Sequence, residues 1–598
     1  MGKADYVFEV SYEVCNKIGG IYTVIKSKAA QMIKRYDGRY YTVGYYNPSK
    51  ARNEFDLLES THPEMDEAFK RLEKRGIKCY CGEWLIPGKP RTILIEASGM
   101  NSEINAIKAH LWEKYNVDSL TSDSWFNDPV IWSQAVGIVL EELMKVKPFS
   151  EGKCVAHFHE WLSGAALLYL KEKNVRIGSV FTTHATMLGR TIAASGADLY
   201  DIVDKGLKEG SKATPDMAKR YGVVDKHTME AASAKATDVF TTVSEITGRE
   251  AEFVLGRRPE VLLFNGLDMS KYPEMEELSI LRRKYRHEMR KFLRAYFTRY
   301  YDIDMYDICS MFLSGRYEFH NKGIDVYIDS LGRLNERMRK DKSERRAIAF
   351  IFVPTDTRGE NIQVLKDITL FEDMHDKVEE MLPEIKDNIM KSIVIKGEIP
   401  KKIISDETMQ ELRTILTHFH ERRGQIPPLC AFDLNYPEEK DEILKACRRN
   451  GLLNRKEDKV KVVFYPAYLT SADRMISMEY NHATLTCDVG VFPSFYEPWG
   501  YTPLECAAQA TLSITTDLAG FGLFIKGKGE GVQVLRVDDR RYEDIVSDLT
   551  DMLYEIVKLE KKDITKRRIN ARDLAFLADW SALAENYVKA HDIAAEKL

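Results

Sequence analysis

Two glutamates in the stretch SFYEPWGYTPLECAA (494–508), Glu497 and Glu505, stand eight positions apart with Pro498, Trp499 and Gly500 between them. Carboxylates so placed could share acid–base chemistry, or could shape a turn and start a helix. Thr502, Pro503 and Glu505 are spaced as N-cap, first and third helical residues, a capping box that would by itself explain Glu505. Glu497 precedes a proline in the loop after the apolar run VGVFPS, where it has no evident structural duty, so the chemistry is assigned to it. The N-terminus of the same helix offers N–H groups to an anion, with Gly500 and Tyr501 at its approach.

Two cations sit in SGRYEFHNKGID (314–325), after the strand-like DICSMFLS. Arg316 can grip phosphate through paired hydrogen bonds, and Lys322 adds a compact charge. Together they could stabilise a departing nucleoside diphosphate; surface salt bridges are the alternative. NKIGGIYTV (16–24) places Lys17, Gly19 and Gly20 before a helix, which fits a second anion site or a plain tight turn. It matches neither the dinucleotide fingerprint nor the P-loop.

AHFHEW (156–161) puts His157 and His159 on one face of a strand, and FTTHATMLGR (181–190) adds His184 and Arg190. Two histidines could ligate a metal, but no third ligand is evident nearby, so no metal site is expected. A histidine at the carboxyl end of a parallel strand could instead bind a sugar hydroxyl. His157, and with less force His184, reads better as a satisfied core histidine. Two anion sites and two cations across a cleft imply a nucleotide-diphosphate ligand.

Positioning these loops requires parallel sheets. β-branched runs alternate with helical periods from DYVFEVSYEV to EVLLFNGLD, and a second such series runs from DICSMFLSGRYEF to LSITTDLAGFG. The expectation is an α/β chain of two Rossmann-like, doubly wound domains (1–268 and 269–574) facing across a cleft. A segment at 575–598 would form a C-terminal helix against the first domain. Residues 360–423 are charged and helical in period, an insertion suited to packing on a second subunit or on its own domain. LRRKYRHEMRKFLRAYFTRYY (281–301) reads as an amphipathic helix with buried aromatics.

A net charge of −5 gives no support to nucleic-acid binding, and no apolar run reaches the roughly 18 residues of a membrane span. The start of the chain lacks an apolar signal core, and its nine cysteines are scattered. Both point to reduced thiols and a cytoplasmic location.

The motifs KIGGIYTV, HFHEWLSG, FTTHATMLGR, SGRYEFHNKGID, SFYEPWGYTPLECAA and TTDLAGFG, in that order over 17–522, resemble glycogen synthases of the animal and fungal type. That family comprises retaining glycosyltransferases of GT-B architecture. The resemblance implies Glu497 as the catalytic carboxylate, Glu505 on the ribose, Arg316 and Lys322 on the phosphates, and Tyr480 stacked on the base. It also implies Gly19 and Gly20 near the donor, Arg190 on the donor side, and His159 on the transferred glucose. The implied reaction is cofactor-free, metal-independent transfer from UDP-glucose to the non-reducing-end 4-hydroxyl of an α-1,4-glucan, with ADP-glucose the rival donor. A homo-oligomer is implied as well. A small-acceptor relative of the sucrose or trehalose-phosphate synthase type, or an inactive glucan-binding scaffold, are the alternatives. The family's dense C-terminal arginine cluster is reduced here to Arg567, Arg568 and Arg572, which implies an enzyme without allosteric control by glucose 6-phosphate.

Overall fold

The computed structural model describes residues 3–58, 63–400 and 403–598. The first sheet contains β1 (Tyr6–Val10), β2 (Tyr40–Tyr45), β3 (Phe55–Leu57), β4 (Lys78–Trp84), β5 (Arg91–Glu96), β6 (Cys154–His159), β7 (Gly178–Thr183), β8 (Val239–Thr242) and β9 (Val261–Leu262). Their order is β3-β4-β5-β2-β1-β6-β7-β8-β9. Only the β3–β4 and β4–β5 pairings are antiparallel. Val7, Phe8 and Val10 are fully buried, as strands covered by helices on both faces require.

The second half supplies β10 (Ile308–Ser314), β11 (Arg346–Phe352), β12 (Thr357–Glu360), β13 (Phe432–Leu434), β14 (Val460–Phe464), β15 (Val489–Val491), β16 (Leu512–Thr516) and β17 (Val532–Leu535). Six of them form a wholly parallel sheet in the order β14-β11-β10-β15-β16-β17. Each sheet reverses its winding once, the first between β1 and β6, the second between β10 and β15. Open parallel sheets bind ligands beyond the carboxyl ends of their strands at such a reversal. The loops after β1, β6, β10 and β15 are those that carry IGG, HEW, SGR and SFYEPWG.

Two segments cross between the halves side by side. Leu267 N–H donates to the Ala578 carbonyl (2.9 Å), and Trp580 N–H donates to that of Leu267 (3.0 Å). The final helix, Trp580–Glu596, then packs on the first sheet. A hydrogen-bond chain fixes it there, and its polarity follows from its end on a carbonyl. Tyr36 donates to His591 Nδ1 (2.9 Å), and His591 Nε2–H donates to His157 Nδ1 (3.0 Å). His157 Nε2–H donates to Thr182 (2.6 Å), Thr182 to Thr241 (2.6 Å), and Thr241 to the Phe181 carbonyl (3.1 Å). His157 is thus a satisfied core histidine.

The antiparallel ribbon β12–β13 closes the base of the helical insertion, whose helices are Ile362–Lys396 and Asp406–His420. A buried Arg299–Asp367 ion pair ties it to the second domain, with Tyr300 donating to the same carboxylate (2.9 Å). The amphipathic stretch forms the helix Met275–Phe297, burying Phe292, Tyr296 and Phe297. It also buries Arg282, which donates to the carbonyls of Leu485 (2.9 Å), Gln509 (3.0 Å) and Ala510 (2.8 Å). Arg572 donates to the Ala508 carbonyl (2.8 Å). Two cations therefore hold the carbonyl end of the helix Tyr501–Ala508, whose other end faces the cleft. Arg568 and Arg286 share Asp488, and Arg567 pairs with Glu555. The three C-terminal arginines are committed to tying their helix to the second domain.

Candidate active site

Two adjoining cavities occupy the cleft. One, of about 470 Å³, is walled by Ser314, Phe352, Tyr468, Tyr480 and Thr502. The other, of about 290 Å³, is lined by residues of both domains, among them Gly19, Gly20, His184, Asn265, Lys322 and Glu497. Arg316 lines both. A planar base suits the aromatic cavity and a hydroxyl-rich group the polar one, so a diphosphate between them would pass Arg316.

Glu497 lies in a loop pinned from three sides. Phe495 N–H donates to the Asn321 carbonyl (2.9 Å), Gly520 N–H to that of Glu497 (3.1 Å), and Ser244 of the first domain to that of Pro498 (2.6 Å). Trp499 is buried against Phe264 and Phe521. The Glu497 side chain is 24% exposed, and its Oε2 accepts from Lys322 Nζ at 2.7 Å. Lys322 is placed by the turn at Gly323, where φ is +64° and a Cβ would fall 2.0 Å from the Pro493 carbonyl oxygen, which only glycine accommodates. Arg316 is 73% exposed on its side chain and, among the described residues, meets only Glu318 (3.0 Å).

The capping box expected at Thr502–Glu505 does not form. Gly500, at φ 109°, is the N-cap, so the helix starts at Tyr501 and Glu505 falls two residues too deep to reach back to the N-cap N–H. Glu505 is in the lining of neither cavity; it lies close to Tyr480 and Tyr501, and burial pushes its carboxyl up to about 7. Tyr480 opens the helix Tyr480–Thr486 and shares a 2.8 Å hydrogen bond with Ser314, which fixes its ring in the aromatic cavity wall.

The glycine loop differs from expectation. Glu13 Oε2 accepts from the N–H groups of Gly19 (2.8 Å) and Tyr22 (2.9 Å), so the chain's own carboxylate satisfies the start of this helix. Gly19 and Gly20 line the polar cavity; Lys17 is exposed outside its lining.

His159 is not on the cavity either. It is fully buried on its side chain, its Nε2 bound to Glu9 (2.7 Å) and its Nδ1 to His184 (2.9 Å). His184 lines the cavity in its place. Strand alternation places a histidine on a face, but the cleft lies beyond the strand ends, so the residue just past β7 reaches it.

Glu9, His157 and His159 bring three potential metal-ligand atoms within 4.8 Å, a third ligand that the sequence did not disclose. Their lone pairs are already engaged: Glu9 receives Lys28, Tyr40 and His159, and His157 is bonded through both nitrogens. Burial would raise Glu9, but Lys28 and His159 hold it well below the usual carboxylate range. The set suits a proton-ordered network and does not fit a cation.

Sequence reasoning missed Glu160 and Asn265 as cavity residues. Glu160 has φ +64°, a strained conformation costing about 1–3 kcal/mol, and burial pushes its carboxyl up to about 7 although Arg190 lies nearby. Asn265 lines the cavity, and among the described residues its buried Oδ1 has no hydrogen-bond partner. Its position in the inter-domain FNGLD was the available signal. Arg190 also lines this cavity, as do Gly500 and Tyr501.

The glycogen synthase family model matches residues 9–598. The chain is 33% identical over 602 residues to a glycogen [starch] synthase of Neurospora crassa, covering 99% of this chain and 84% of that protein. It is 33% identical over 601 residues to the liver glycogen [starch] synthase of Mus musculus, covering 98% and 83%. Among solved structures, the catalytic domain of starch synthase IV from Arabidopsis thaliana, bound to ADP and acarbose, has the same fold. Its TM-score is 0.50 at 12% identity, covering 99% of this chain and all of that one.

Proposed function

The chain belongs to the glycogen synthase family and is a GT-B glycosyltransferase of glycogen synthesis, and from that premise we propose that it moves glucose from UDP-glucose to the non-reducing-end 4-hydroxyl of an α-1,4-glucan with retention. The observation that carries the donor reading is Arg316 on the wall common to both cavities. Base and ribose take the aromatic cavity beside Tyr480, Tyr468 and Thr502, with Glu505 behind Tyr480 as the ribose partner that the resemblance implies. The glucosyl group takes the polar one beside Glu497, His184 and Asn265.

Breaking the bond from C1 to the phosphate oxygen leaves negative charge on the diphosphate and positive charge on the sugar ring. Arg316 and Lys322 face the first and Glu497 the second, so their interactions strengthen as the bond breaks. The acceptor hydroxyl attacks from the face the diphosphate is leaving, its proton passing to the departing phosphate oxygen, and the configuration at C1 is kept. No metal or cofactor enters the scheme. His184 takes the sugar contact that the resemblance assigned to His159.

UDP-glucose and ADP-glucose competed in one assay, with label counted in precipitated glycogen, test the donor. Label from UDP-glucose should dominate; equal or greater incorporation from ADP-glucose contradicts that choice.

A homo-oligomer through the insertion is part of the same reading. Val394 and Ile395 are each 77% exposed there, and Met390 is 60% exposed. Sedimentation should give a multiple of 68.8 kDa, and a monomer would contradict it. Free thiols at all nine cysteines support a cytoplasmic site. Among the described residues no helix is long and apolar enough to cross a membrane.

A further inference from the structure

Beneath the polar cavity, four side chains determine where one proton must sit. Lys28 and Tyr40 donate to Glu9, and both Lys28 and Glu9 are fully buried on their side chains. An ionised carboxylate only accepts hydrogen bonds, so His159 Nε2, 2.7 Å from Glu9, must carry a proton. Lys28 already balances the Glu9 charge, and a second cation there would be buried unpaired; His159 is therefore neutral. Its Nδ1 is then a lone pair, and His184 Nε2, 2.9 Å away, must donate to it. Nδ1 of His184 is left bare, and among the described residues nothing meets it. The backbone is locked too, since His184 N–H donates to Glu160 (2.9 Å).

We propose that Glu9 and His159 are positioning residues that hold His184 in its Nε2–H tautomer, so that it offers the cavity a hydrogen-bond acceptor. Resting on the reading above for its last step, the group recognised is a donating hydroxyl of the transferred sugar. The relay reaches from β1 through β6 to the residue after β7, so three strands of the first sheet fix one acceptor atom.

The test is the ¹⁵N spectrum of histidine-labelled full-length protein, with His184 assigned by comparison with His184→Gln. The wild type should show Nε2 protonated and Nδ1 bare. Glu9→Gln combined with Lys28→Met removes both buried charges together, which avoids stranding either. Its side-chain amide can donate to His159 Nε2, so a population of His184 protonated at Nδ1 should appear. In that variant kcat/KM for the glucosyl donor should fall about tenfold or more, as when partners orienting a functional histidine are lost, while affinity for free UDP holds within about twofold. A wild-type His184 protonated at Nδ1 overturns the proposal whether or not the variant folds. So does a variant whose tautomer shifts while kcat/KM stays within about twofold. Failure of the wild type to transfer glucose at all would overturn the functional reading instead, and the spectrum would still decide the tautomer.

Discussion

Glu497→Ala is expected to lower kcat by about 10²–10³ while the protein remains folded. The loop does not depend on this side chain: its backbone is held by Asn321, Gly520 and Ser244, and Trp499 anchors it in apolar packing. What the substitution removes is a carboxylate partly open to the cavity, whose protein contact is the Lys322 ammonium. Without it, positive charge on the sugar ring loses the carboxylate that faces it, and Lys322 loses the partner that aims it. Glu497→Gln keeps the shape and removes the charge, so it should lose nearly as much. Steady-state rates paired with thermal melts provide the check. A folded Glu497→Ala enzyme with near wild-type kcat would remove Glu497 from the mechanism.

Arg316→Ala should cost a comparable factor, about 10²–10³ in kcat, for the opposite charge. The guanidinium is mostly solvated and pairs with the partly exposed Glu318, so melting temperature should be unchanged. Its loss falls on the diphosphate, so affinity for UDP should drop while that for uridine does not. Arg316→Lys should recover only part of the rate, because an ammonium cannot make the paired contacts of a guanidinium. Calorimetry with UDP and uridine, alongside kcat, separates the cases: equal losses for both ligands would place Arg316 on the base rather than the phosphates.

Much of this arrangement was legible in the chain. The β-branched runs marked the central strands of both sheets, and their rhythm gave two facing α/β units. The motif loops fell after the strands where each sheet reverses. Three features resisted. The pattern Thr502-Pro503-x-Glu505 satisfies the rule for a capping box, but Gly500 can adopt φ 109° and starts the helix two residues earlier. His157 read as a core histidine and is one, but His159, which the resemblance placed on the transferred glucose, is buried against Glu9 and His184. The histidine that meets the cavity is His184, just beyond a strand end. Glu13 closes on Gly19 and Tyr22 through the fold of the β1 loop, a contact that no residue spacing encodes. In each case residue type was readable and direction was not, because direction depends on backbone angles set by the tertiary structure.

Glucosyl transfer with retention onto an α-1,4-glucan is tested most directly by the linkage of the product. Purified enzyme given UDP-glucose and maltotetraose, followed by proton NMR, should yield maltopentaose with a new α-1,4 bond at the non-reducing end. A β-linked product, a trehalose- or sucrose-type disaccharide, or no extension of the oligosaccharide would contradict it.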